Sequence, residues 1–196
     1  MRVGIIGTPT SRKSEFAEAI SNSNSVIIDD YVKVIQETTD LALGAWATYS
    51  EEFMIAGQRY YSERKSGYDE ADTLITVGTL VDTLAYCAIK SDAEPNSSDP
   101  DVRHAIYTRI QGIMGGLSLM IAESWDYDLA FYLPLEIQSD TPVWIQLLDK
   151  AILTVLESYP LEVYALGGSF EQRITTAKEL LSARKQSISQ AAGSSE

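Results

Sequence analysis

The chain has 196 residues, 45% of them apolar and 22% charged, which suits one globular domain whose core needs no covalent staple. Its net charge of −13 and pI near 4.4 argue against nucleic acid as a partner, since no run of Lys or Arg overrides that field. One cysteine (Cys87) excludes an internal disulfide and, with one histidine, argues against a His/Cys zinc site; no apolar stretch approaches the roughly 20 residues that cross a bilayer, and a cytoplasmic setting is expected.

Residues 2–7, "RVGIIG", read as a buried strand. Residues 14–21 read as a helix with Phe16, Ala17 and Ile20 inward, and "VIIDD" at 26–30 as a second strand ending on Asp29 and Asp30. Helical spacing of Tyr49, Phe53, Ala56 and Tyr60 predicts a long helix over 38–65, part of a helical region reaching residue 67. "TLITVG" at 73–78 is a third strand, and the helix after it begins at Thr79 with Asp82 three residues on, a capping box. The polar stretch 91–100 is a loop, and 101–123 an amphipathic helix. "YDLAFYLP" at 127–134 is a fourth strand, 134–142 a short lid, and Pro142 stands at the first position of the next helix. "LEVYAL" at 161–166 is a fifth strand, followed by a helix capped by Ser169 with Gln172. A single domain over 1–184 with a disordered tail over 185–196 is expected.

Short apolar strands alternating with helices argue an α/β fold, a five-stranded parallel sheet flanked by helices in three layers. Ligands of such sheets sit at the C-terminal strand ends, where Gly7, Asp29, Asp30, Gly78 and Pro134 gather. "GTPTSRKS" at 7–14 nearly spells Gly-x-x-x-x-Gly-Lys-Ser/Thr, with Arg12 in place of the second glycine. A loop of that length after a strand can turn successive N–H groups inward as a nest for phosphate, and the following helix adds its positive end. Gly7, Thr8, Ser11, Arg12, Lys13 and Ser14 are the candidate binding residues: Lys13 for the outer phosphates, the Ser14 hydroxyl for Mg²⁺. In place of the glycine bend, Arg12 can take the helical region and point outward, or serve as a second cation for the phosphates.

These pieces resemble the P-loop nucleoside and nucleotide kinases, most closely the branch holding nicotinamide riboside kinase and related phage ATPase or kinase domains. "GIIGTPTSRKS", "DTLITVGTLVDTLAY", "YDLAFYLPLEI" and "LEVYALGGSFEQRITTAKELL" carry the resemblance in chain order. It implies strand order 2-3-1-4-5, ATP and Mg²⁺ as cofactors, and a nucleotide and a small-molecule acceptor as ligands. It further implies Asp29 or Asp30 at the acceptor hydroxyl, Asp82 near the metal and Arg173 near the nucleotide base. Relatives often end the third strand in Asp-Arg, where this chain has Val77-Gly78, and their lids carry arginine, where 134–142 has none. Two functions follow: an ATP-dependent phosphotransferase acting on a nucleoside or nucleotide, or a degenerate P-loop domain kept for binding or assembly, with a phage setting and homo-oligomer among the expectations.

Overall fold

The computed structural model describes residues 1–29, 49–65, 71–91, 100–159 and 161–193. Five strands form one parallel sheet: β1 (Arg2–Ile6), β2 (Ser25–Ile28), β3 (Thr73–Val77), β4 (Leu129–Tyr132) and β5 (Val163–Ala165), in the order β2-β3-β1-β4-β5. Register pairs Gly4 with Thr76 on one side and with Ala130 on the other, so β1 lies at the centre. The α/β class and the strand order are as expected from the sequence.

Six described helices cover the sheet: α1 (Lys13–Ile20), α2 (Tyr49–Lys65), α3 (Leu80–Ser91), α4 (Pro100–Ser124), α5 (Val143–Ser158) and α6 (Phe170–Gly193). One face packs Phe16, Ala17 and Ile20 of α1 and Ala177 and Leu181 of α6 against Val3, Ile5, Ile75 and Phe131. The other face packs α2, α3, α4 and α5 through Ala56, Val81, Leu84, Leu117, Ile121, Leu148 and Ile152. Each large side chain so buried contributes about 1.5–3 kcal/mol. The three central strands are therefore buried on both faces, Thr73 and Thr76 of β3 included, whereas Val26 on edge strand β2 is 40% exposed and β5 is only half-buried.

Some expectations change in detail. β4 is shorter than 127–134, although the Asp128 and Leu133 N–H groups still donate to the Arg2 and Ile6 carbonyls of β1, each at 2.9 Å; the Asp128 carboxylate accepts the Arg2 N–H at 2.7 Å, and the Tyr127 hydroxyl donates to Glu63 at 2.7 Å. Pro142 is the N-cap of α5 rather than its first residue. Of the tail expected to be disordered, residues 185–193 are helical, since α6 runs on through Gly193. Ala, Lys and Gln are good helix formers, and a helix already nucleated propagates through them. The stretch 38–48, most of the 91–100 loop and Asp30 lie outside the described residues.

Glu63 is a buried carboxylate at the end of α2. Burial pushes its pKa up, opposed by the Tyr127 hydrogen bond and the Arg59 and Arg2 charges. A folded value above the unfolded one means that ionised Glu63 disfavours folding. That penalty is absent below the unfolded pKa and grows as pH rises through the folded one. Glu63→Gln is expected to gain stability relative to wild type as pH climbs above the ordinary glutamate range, read from urea midpoints of both proteins at matched pH.

Candidate functional site

At the C-terminal end of β1 the chain leaves the sheet at Gly7, with φ of +156°, and turns through a short 3₁₀ segment, Pro9–Ser11, into α1. The loop folds on itself: the Ser11 N–H and hydroxyl both donate to the Thr8 carbonyl, at 3.1 and 2.8 Å. Thr8 is fully buried. A Cβ at Gly7 would stand 2.5 Å from Ser11 Oγ and 3.0 Å from the Leu133 carbonyl oxygen, so only glycine fits. Gly7→Ala is expected to lower stability by about 1–3 kcal/mol, measured as a fall in the urea midpoint at unchanged m-value.

Arg12 departs from expectation. It adopts φ +61°, ψ +38°, the left-handed region, and among described residues no other non-glycine has positive φ. The backbone keeps the bend that a glycine would supply, at a cost of roughly 1–2 kcal/mol. The side chain does point outward, 52% exposed, as expected. Its Nε and Nη2 donate to the Glu15 carboxylate at 3.0 and 2.5 Å, raising the arginine pKa and lowering that of Glu15. Its Cζ lies 3.8 Å from the centroid of the Phe170 ring. Arg12→Gly is expected to melt no lower than wild type, because strain relief offsets an exposed ion pair that contributes little. A scanning-calorimetry comparison checks this.

The first turn of α1 has no side-chain cap, so its leading N–H groups face the loop without intrahelical partners. Lys13 is buried and folded into the loop, its Nζ donating to the Gly7 carbonyl at 2.5 Å and the Thr8 carbonyl at 3.2 Å. Asp82 Oδ1 stands 3.7 Å from that ammonium. The Asp82 carboxylate also accepts the Gly7 N–H at 3.0 Å on Oδ1 and the Thr79 N–H at 2.7 Å on Oδ2. Thus the expected capping box at α3 is present, and the same carboxylate fastens the loop to α3. The resemblance placed Asp82 at a metal; here it has a structural task that local spacing could not show.

Ser14 donates its hydroxyl to Asp29 Oδ1 at 3.2 Å, so two of the expected site residues meet at the ends of β1 and β2. No group of three or more His, Cys, Asp or Glu residues suited to a metal occurs among the described residues. A Ser14 hydroxyl beside one carboxylate does fit Mg²⁺, which commonly takes one or two carboxylates and completes its shell with water and phosphate oxygens.

Arg173, in the first turn of α6, is buried. Its Nε donates to the Gly168 carbonyl at 3.1 Å and Nη1 to the Pro134 carbonyl at 3.4 Å, while Nη2 lies 2.9 Å from Glu136 Oε1. It thereby ties α6 to the segment after β4. Between them is a cleft of about 560 Å³ lined by Arg12, Pro134, Glu136, Thr141, Phe170 and Arg173 among others. The lid side of this cleft carries Glu136 and Asp140 and no arginine. Sequence reasoning missed Phe170 and Glu136, which no motif marks, and the buried Arg59. Arg59 is buried at α3, donating to the Thr79 carbonyl at 2.5 Å and Thr83 Oγ1 at 2.9 Å. The signal available was an arginine following Ile55 and Ala56 on the inward stripe of α2.

A parallel sheet of this order, with a Lys-Ser loop between β1 and α1, defines the P-loop nucleotide-kinase fold, and solved structures agree. The chain superposes on the NadR protein in complex with NAD and AMP-PNP with a TM-score of 0.72 at 12% identity, covering 92% of this chain and 48% of that one. The NadR complex with NR gives 0.70 at 12% identity over 91% and 49%. Deoxyadenosine kinase from M. mycoides, with products dCMP and a flexible dCDP bound, gives 0.62 at 13% identity over 93% of this chain and 100% of that one. The chain thus spans about half the length of the NadR chains and the whole of the deoxyadenosine kinase. No family model matches the sequence, and no curated protein matches it. No helix among the described residues is long and apolar enough to cross a membrane.

Proposed function

We propose that this protein binds a nucleoside triphosphate, ATP in the first instance, in the loop over residues 7–14 and transfers its terminal phosphoryl group to a nucleoside or nucleotide. The observation that carries this reading is the backbone at Arg12. A loop with no ligand to hold would have little reason to retain a left-handed residue beside a buried lysine and an uncapped helix start.

In this reading the loop amides and the first turn of α1 receive the phosphates, and Lys13 exchanges the Gly7 and Thr8 carbonyls for phosphate oxygens. Ser14 and Asp29 would hold Mg²⁺, which supplies neutralisation of the phosphate charge. Asp29, or Asp30 where Asp29 holds Mg²⁺, orients the acceptor hydroxyl for in-line attack and takes its proton as the new P–O bond forms and the bond to the leaving nucleoside diphosphate breaks. Gly7 fixes where the loop departs, and Asp82 fixes the loop against α3.

A second reading is favoured by the lid. Arginines aimed at a transferring phosphoryl group are worth on the order of 10³-fold or more in rate. Here 134–142 offers Glu136 and Asp140, and Glu136 is ion-paired to Arg173. A nucleotide-binding domain without transfer activity is consistent with that charge. Incubating the protein with γ-labelled ATP, Mg²⁺ and a panel of nucleosides and nucleoside monophosphates separates the two. Label in an acceptor supports transfer; bound ATP with no labelled product supports the binding domain; no bound ATP sinks both.

A further inference from the structure

The loop's one departure from the phosphate-binding pattern puts a planar cation at the mouth of the cleft. We infer that Arg12, backed by Phe170, is the stacking platform for the base of the nucleotide whose phosphates the loop holds; this rests on the nucleotide-binding reading above.

The guanidinium centre lies 3.8 Å from the Phe170 centroid, the spacing of a stacked pair. Phe170 is itself held against Phe16, centroids 6.4 Å apart, so the stack has a fixed base in the core. Glu15 takes hydrogen bonds from Nε and Nη2, along the edge of the guanidinium, and leaves its plane available. The side chain is 52% exposed, and both Arg12 and Phe170 line the 560 Å³ cleft, which continues to Pro134, Glu136 and Thr141. That volume holds a base and its sugar. Stacking on the face of the guanidinium opposite Phe170 requires no rearrangement of its contacts to Glu15 and Phe170. The left-handed backbone directs the side chain away from the loop interior, so glycine could relieve the bend but could not supply the platform. Stacking on a guanidinium face tolerates any base, so the platform adds affinity for the nucleotide without choosing among bases.

Calorimetric titrations with Mg·ATP and with Mg·tripolyphosphate, which lacks base and sugar, test this on wild type, Arg12→Lys and Arg12→Gly. Wild type is expected to bind ATP about tenfold or more tightly than tripolyphosphate. Arg12→Lys keeps the charge and loses the plane. It is expected to bind tripolyphosphate as wild type does and to lose most of the preference for ATP, with Arg12→Gly behaving alike. An unchanged preference in both variants overturns the platform while leaving the phosphate site intact. So does equal weakening of both ligands in Arg12→Gly with recovery in Arg12→Lys, the mark of a charge contact. Failure of wild type to bind either ligand overturns the nucleotide-binding reading itself, and the platform with it.

Discussion

Replacing Lys13 by alanine is expected to abolish the rise in melting temperature that the proposed function predicts Mg·ATP will give the wild-type protein. A ligand that binds only the folded state at 100 times its Kd adds about 2.7 kcal/mol, or roughly 5–10 °C for a domain of this size. The phosphate contribution to that affinity depends on one buried ammonium group whose present partners are the loop's own carbonyls. On the proposed function those carbonyls are exchanged for phosphate oxygens. Lys13→Ala also leaves Asp82 without the cation 3.7 Å away, so its unliganded melt falls too. Lys13→Met keeps the apolar stem but likewise leaves Asp82 without its cation, so it is expected to recover only the packing share of the lost stability, with the nucleotide shift still missing. A wild-type-sized shift in either variant would show that the lysine is only a structural brace.

Asp82→Asn is expected to cost about 2–4 kcal/mol of stability, among the largest effects of any single conservative change here. Both carboxylate oxygens face N–H donors: Gly7 on one side and Thr79 on the other. An amide can satisfy one and must turn its NH₂ group toward the other, leaving donor against donor in a buried site. It also removes the charge beside Lys13. The loop then loses its tie to α3, and nucleotide affinity falls with stability. Asp29→Asn is the control, because Asp29 is only half-buried and meets the Ser14 hydroxyl, a group that can donate or accept. Urea denaturation of the three proteins reads the difference; equal midpoints for Asp82→Asn and wild type would remove the clasp from the account.

What was legible in the sequence was local. The central strands show as apolar runs such as Val3, Ile5 and Ile6, because a strand buried on both faces has no polar side to alternate with. The capping boxes at Thr79 and Ser169 show because partner and cap are three residues apart. The strand order came with the family resemblance. The clasp was hidden because Asp82 and Gly7 lie 75 positions apart and only the sheet brings them together. Arg12 was misread at the backbone because its preferred basin is right-handed, and the bend is imposed by β1, Gly7 and α1 around it. The end of α6 was misread because its Ser and Gln content imitates a solvated tail, while Leu181 and Ala177 have already anchored the helix on the sheet.

The central claim is that the bend from Gly7 to Ser14 holds a polyphosphate. Amide chemical shifts of the ¹⁵N-labelled protein, followed while Mg·ATP is added, test it most directly. The largest saturable shifts are expected at the amides of Thr8, Thr10, Ser11, Arg12, Lys13 and Ser14. Saturable shifts confined to other parts of the sheet edge, or none at millimolar nucleotide, would contradict it.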